Sequence, residues 1–445
     1  MNLRAPAAAL VVLVLAACSV APTTPPTAQL TASPGPTLAP TAAPTDTPPP
    51  TAQPTATATA VPTATATAEP TAEPTAEPTA APTSGPTPTP ATSWTGPNLI
   101  AQGVFRETDI AIDASGFVHI AAAGAGADNR GIWYITDASG NWTKERISTP
   151  PAVAGYEGLE YDGEPSIAVD RGDGSVYIAF TRWACDECAP NPSDAILIVD
   201  NWWGEWARTQ QMAGAQTNSP SLAVRDQSIY IAYAEGMLPG QRHYPVWYGS
   251  DSGPLGEWSV TRLARDGGFP QLMLDSDGAA NVLFSDNGIR YTEQLADGTL
   301  AAPDLLPGSV DGLNPLLAGD PATGTLWAAW SQFSADRNHI NVLVSSRLSD
   351  GWSDPVVAVP DGDLTGLGVY DGTVHALGIR SDPDAWGGLL YTTNVGGSFE
   401  MSTISEAGGD TSSLAVDAIG RPHLVFALDQ PRVDRGLWYT IGPGV

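Results

Sequence analysis

Seven of the chain's 19 basic residues, Arg130, Arg182, Arg242, Arg337, Arg380, Arg432 and Arg435, fall in Gly-, Pro- and Asp-rich segments rather than in apolar runs. Guanidinium groups on loops suit bidentate capture of carboxylates or sulfates. Trp183, His243, Tyr244 and Trp386 stand close to these arginines in sequence and offer flat surfaces for a sugar ring or a protein side chain. The candidate ligand-binding set is therefore Arg182, Trp183, Arg242, His243, Tyr244, Arg337, Arg380, Trp386 and Arg432. Alternatively, each arginine pairs with an acidic neighbour such as Asp336, Asp382, Asp384 or Asp434. Cys185 and Cys188 are the only cysteines besides Cys18. A local disulfide fits an exported chain, whereas structural zinc would need two further ligands close by. Asp170–Gly174 and Asp275–Gly278 are acidic but lack the spacing of a calcium loop and suit tight turns. No metal and no cofactor is expected.

The elements that must position these residues recur. Thr108–Asp113, Pro165–Asp170, Pro220–Arg225, Pro270–Asp275, Pro315–Asp320, Thr365–Tyr370 and Ser412–Asp417 each give an apolar strand, an Asp/Gly turn and a second strand. A third strand ending near Tyr and an outer strand beginning on an aromatic follow in most units. Seven units at this spacing predict an all-β, seven-bladed propeller of four-stranded antiparallel blades, with six or eight blades as the alternatives. The last unit lacks an outer strand, while SWTGPNLIAQG stands alone from Ser93, so an N-terminal strand is expected to close the ring and remove its free edges. Loops between second and third strands then gather on one face with the candidate arginines. His119, His375 and His423 share one second-strand position, which marks them as packing residues.

Residues 1–93 have a different composition. An apolar run from Ala7 to Leu15 precedes Leu15-Ala16-Ala17-Cys18, which resembles the lipobox of bacterial lipoproteins and implies a signal peptide at 1–17 and a lipidated Cys18. From there to residue 93 the chain is Pro, Thr and Ala in short repeats, predicted to be a disordered, polyproline-biased stalk reaching on the order of 200 Å when extended. The expected location is outside the cytoplasm, anchored to lipid at the bacterial cell surface or envelope. The net charge is −29, of which −26 belongs to residues 94–445, and this argues against nucleic acid as a partner.

Residues 94–445 resemble the sialidase-like, BNR-repeat propellers. Thr392–Phe399 (TTNVGGSF) is a degenerate Asp-box turn with Asn394 in the Asp position, and TDASGNW at Thr136 is a weaker echo. Enzymes of that family imply an arginine at the start of the first blade, a Tyr/Glu nucleophilic pair and three arginines on a substrate carboxylate. Arg106 is suitably placed, while Glu107 and Thr108 stand where Ile and Pro are expected. Tyr156, Glu157, Glu160, Tyr161 and Glu164 could supply the Tyr/Glu pair, and spacing alone does not select one, with Tyr161 and Glu164 taken as the candidates. The motifs favour a surface-tethered binding or scaffold protein whose ligand is a glycan, a peptide or a cell-surface protein. A sialidase-like glycoside hydrolase is the alternative.

Overall fold

The structure, a computed structural model, describes residues 93–126, 128–150, 161–183, 195–202, 204–213, 217–235, 244–251, 258–380, 388–395, 397–406, 411–428 and 435–444. Among these every regular element is a strand. After β1 (Asn98–Gln102), the first set comprises β2 (Phe105–Ile112), β3 (Val118–Gly124), β4 (Gly131–Thr136) and β5 (Thr143–Arg146). The second comprises β6 (Tyr161–Val169), β7 (Val176–Trp183), β8 (Ala195–Asp200) and β9 (Ala207–Ala213). β10 (Thr217–Arg225), β11 (Ser228–Glu235), β12 (Tyr244–Asp251) and β13 (Trp258–Leu274) form the third. β13 also opens the fourth, with β14 (Ala280–Ser285), β15 (Ile289–Glu293) and β16 (Asp304–Leu305). The fifth holds β17 (Leu313–Gly319), β18 (Leu326–Phe333), β19 (Ile340–Leu348), β20 (Gly351–Trp352) and β21 (Val356–Val359). The sixth has β22 (Gly362–Tyr370), β23 (Thr373–Arg380), β24 (Leu389–Thr393) and β25 (Glu400–Ser405). β26 (Thr411–Val416), β27 (Pro422–Leu428) and β28 (Gly436–Ile441) end the chain. All pairings are antiparallel, so the repeat predicted by sequence is a propeller-like array of hydrogen-bonded sheets.

Two features depart from a simple succession of hairpins. The outer strand of the third set and the first strand of the fourth are one 17-residue strand, β13. Its leading half pairs with β12 and its trailing half, from Gly268, with β14. The short Arg265–Gly268 stretch between the two apolar runs stays extended and carries the chain from one set to the next. The other departure is β1, which pairs with β28 and so serves as the outer strand of the last sheet. Thr95 N–H donates to Ile441 O at 2.9 Å, extending the seam.

The apolar core lies between sheets. Second strands such as β3 and β27 are buried on both faces because each sheet has a neighbour on either side. Ile167, Ile178, Phe180 and Leu197 of the second set pack with Ala121, Ala123 and Ile132 of the first. Val425, Leu437 and Tyr439 of the last sheet pack with Phe105, Ile120 and Ile135 of the first. Similar clusters join each intervening pair. Outer strands such as β5 and β25 are largely exposed, which explains their Lys, Glu and Thr content.

One aromatic contact repeats across these interfaces. A tryptophan at the outer-strand position meets edge-on the third-strand tyrosine of the preceding sheet: Trp206 on Tyr134, Trp142 on Tyr439 and Trp352 on Tyr291, with centroids 4.8–5.2 Å apart. Trp94 makes the same contact with Tyr391 at 4.7 Å and 85°. The N-terminal segment thus supplies the last sheet with its tryptophan as well as its strand. Edge-to-face pairs add about 0.5–1.5 kcal/mol each beyond their buried area.

Those tyrosines also explain the histidines. Nδ1 of His119, His375 and His423 lies 2.7, 2.5 and 2.5 Å from the hydroxyls of Tyr134, Tyr391 and Tyr439. All three histidines are buried, so their shared position is a structural one, as their equivalence predicts. The Asp-box turns are likewise structural. Asp137 and Asn394 accept from the N–H of Val118 and Val374 at 2.8 and 2.7 Å. Asn201 does the same for Val176 at 2.8 Å, a third such turn that the sequence motif does not reveal.

Candidate functional site

The first strands begin at the end of the fold where second strands run into their loops. Register places Tyr161 opposite Trp183 and Asp162 opposite Arg182, so the candidate residues of β6 and β7 meet there. Glu107 on β2 stands at the position equivalent to Glu164 on β6, each six residues before the turn aspartate. Its Oε2 accepts the Tyr161 hydroxyl and, at 2.7 Å, the N–H of Glu164. Oε2 of Glu164 in turn accepts the N–H of Ser219 at 2.7 Å and the Thr181 hydroxyl at 3.1 Å. One carboxylate after another therefore ties the start of a first strand to the start of the next.

A second row lies two residues further along. Asp109 Oδ2 accepts from the N–H of Ile167 at 2.9 Å, Ser166 Oγ from that of Leu222 at 3.0 Å, and Ser221 Oγ from that of Leu272 at 2.8 Å. Between the rows the backbone bulges. Glu164, Ser219, Phe269 and Asn314 have φ of 47–49°, and each precedes a proline. Register breaks at all four, which gives each first strand one extra residue against its partner. Left-handed backbone before proline is uncommon and strained. Its repetition in four successive sheets makes it an architectural device rather than a mark of one reactive residue.

The electrostatics follow from burial. Tyr161 is pushed well above the usual phenol range, first by desolvation and then by the Glu107 charge, with Arg106 opposing. Desolvation, aided by Glu107, raises Glu164 despite its bond to Ser219. Asp109 is pushed up to about 6 by desolvation, which outweighs the N–H groups of Ile167 and Ile110. Gly163 makes the Tyr161 position feasible: a Cβ there would collide with the phenol ring. Tyr161 is thus held as a neutral hydroxyl donating to a carboxylate.

The arginines are distributed differently. Arg182 is clamped by the buried Asp162, Nε and Nη2 each 2.7 Å from a carboxylate oxygen. Asp162 also accepts from Ser148 Oγ at 2.7 Å, fastening the incoming connection. Arg337 reaches Asp311 at 3.4 Å, and Arg380 reaches Glu406 at 3.5 Å. His339 pairs with Asp361 at 2.8 Å. Each described candidate arginine of the ligand-binding set thus has its own carboxylate partner, each pair at a different sheet, with a buried carboxylate for Arg182 and an exposed one for Arg337 and Arg380. Arg106 is exposed and has no ion pair among the described residues. Tyr244 is half-buried in β12. Cys18, Cys185, Cys188, Arg242, His243, Trp386 and Arg432 lie outside the described residues, as does the side chain of Trp183.

The sequence offers Arg106, Tyr161 and Glu164 as candidates, beside Tyr156, Glu157 and Glu160, which lie outside the described residues, and misses Glu107, which the structure places at the centre of the cluster. The signal was available: aligning the seven first strands puts Glu107 above Glu164. Mismatch with a motif expecting Ile at that position conceals it.

No family model and no curated protein sequence matches the chain. Solved structures with which it shares a partial likeness include a Hadza microbial sialidase, at 8% identity over 78% of this chain and 68% of that one, TM-score 0.47. Another is the intramolecular trans-sialidase from Ruminococcus gnavus, at 11% identity over 77% and 94%, TM-score 0.41. The Aleuria aurantia lectin aligns at 9% identity over 68% and 96%, TM-score 0.42.

Proposed function

We propose that the protein is a surface-tethered binding module, with residues 94–445 forming a seven-bladed propeller closed by β1 and presenting its loop face to a glycan. Peptide and protein ligands are the other members of the class that the sequence admits. Core clusters between successive sheets, including one between the last and the first, support the ring. The leader at 1–17, lipidation of Cys18 and a stalk to residue 93 would hold it at the bacterial envelope.

The observation that carries the binding function is the occupancy of the groups a sialidase would need. A carboxylated substrate requires several arginines converging on it beside the Tyr/Glu pair. Arg182, Arg337 and Arg380 instead neutralise separate carboxylates. Glu107 and Glu164 use Oε2 to stitch strands together. Carboxylates and a phenol beside one another at this end of the fold suit a ligand rich in O–H donors, such as a neutral sugar, better than an anionic one.

The test is a glycan array probed with the full chain carrying Cys18→Ser, beside a fluorogenic sialoside assay. Retention on neutral glycans that weakens at least tenfold in Glu107→Gln, without turnover, is expected. Turnover that vanishes in Tyr161→Phe would establish the hydrolase instead.

A further inference from the structure

At the opposite end of the fold, three units share one turn. Asp113, Asp275 and Asp417 each begin a D-x-x-G turn, with Gly116, Gly278 and Gly420 at φ of 78–89°. In all three, Oδ1 of the aspartate accepts the N–H groups two and four residues on, at 2.8–3.1 Å. Six residues after the aspartate comes the second-strand position whose side chain meets the third-strand tyrosine. In the first and last units it is histidine. Its Nδ1 faces the tyrosine, and its Nε2 faces Oδ2 of the turn aspartate, at 3.4 Å for His119 and 3.2 Å for His423.

In the fourth unit the position is Asn281. Its Oδ1 accepts the Tyr291 hydroxyl at 2.6 Å, reproducing the Nδ1 contact, and its Nδ2 donates to Ala279 O at 3.0 Å. Asparagine is too short to reproduce the outer half of the imidazole. Asp275 Oδ2 accordingly has no hydrogen bond among the described residues, and a cavity of about 300 Å³ opens beside it. Asp275, Asn281, Tyr291, Glu293, Arg347 and Thr325 line it. Arg347 lies over Tyr291, 4.6 Å from the ring centroid, and pairs with Glu293 at 3.1 Å. Arg347 thereby neutralises Glu293, and Asp275 gives the cavity a net negative charge. A single uncompensated carboxylate in this lining suits a compact cation that donates N–H.

We propose that this cavity is a binding site for a compact N–H cation of the imidazolium type, which donates to Asp275 Oδ2 as Nε2 of His119 and His423 does to their own aspartates. The site is separate from the loop face and independent of the function proposed for it. A five-atom ring in an open polar cavity should bind weakly, with Kd on the order of 1 mM.

Isothermal titration of imidazole into the full chain carrying Cys18→Ser, at about pH 6 where an imidazole is largely protonated and at constant ionic strength, tests the assignment. One saturable site is expected. Asn281→His places in the fourth unit the residue found in the first and last, fills the cavity and should abolish the site. Asp275→Asn, which keeps the Oδ1 acceptor of the turn, should weaken binding at least tenfold. No saturable binding by the parent chain, or equal binding by the Asn281→His variant, would overturn the proposal.

Discussion

Replacing His375 by asparagine should remove most of one histidine's contribution to acid sensitivity. His375 is buried against Tyr391 at 2.5 Å, and its Nε2 meets no partner among the described residues. Burial alone pushes it down to about 4 from 6.5. The folded state therefore holds a neutral imidazole that the unfolded chain protonates first as the pH falls. The sign is fixed: stability is complete above 6.5 and is lost progressively down to about 4. At about 1.4 kcal/mol per pH unit, the loss is roughly 3 kcal/mol. Asparagine keeps the bond to tyrosine, as Asn281 does with Tyr291 at 2.6 Å, and cannot titrate. Asp109 acts in the opposite direction, because a carboxyl raised to about 6 gains stability as the pH falls from about 6 to its ordinary 3.8. The parent's own pH profile therefore blends opposing slopes, and only the difference between parent and variant isolates the histidine. Urea unfolding of both at about pH 7 and about pH 4 gives that difference, which should change by about 3 kcal/mol in favour of the variant at the lower pH. A difference independent of pH would refute a buried, neutral His375.

Removing Arg182 as Arg182→Ala leaves Asp162 buried without its cation and should cost about 3 kcal/mol in urea unfolding, while Arg182→Ala with Asp162→Asn should recover part of it. Trp94→Ala and Trp142→Ala remove equivalent edge-on contacts and should each cost about 2 kcal/mol; a negligible effect at Trp94 alone would argue against its standing in for an outer-strand tryptophan. Gly163→Ala forces a methyl into the Tyr161 ring and should cost about 1–3 kcal/mol. Adding Tyr161→Ala should suppress that cost, and additive losses in the double variant would show that the two do not touch.

The fold was legible because each hairpin carries its own punctuation: an alternating apolar run, an aspartate, a glycine and a second run. The N-terminal strand was legible for a different reason, as an orphan outer strand with the tryptophan that the last unit lacked. Contacts between units were harder to see. The bulges at Glu164, Ser219, Phe269 and Asn314 depend on a left-handed residue before proline, which local propensity argues against. The staircase from Glu107 to Ser219 joins residues more than fifty positions apart, through backbone N–H groups that no motif records. Pairing of loop arginines with acids was anticipated as an alternative. Asp162, the partner of Arg182, was not named, because it lies inside a strand twenty residues earlier.

The seam between β1 and β28 also bears on how the chain can fold. Thr95 and Thr440 meet across 345 residues, so the first strand to leave a ribosome finds its partner only when the last has emerged. Closing so long a loop adds only a slowly growing entropy cost, but a contact of this order forms late. Until then Asn98–Gln102 is a short edge with unpaired N–H and C=O groups. Folding that runs from first unit to last is thus completed by its earliest residues, and truncation at either end would leave the same interface open.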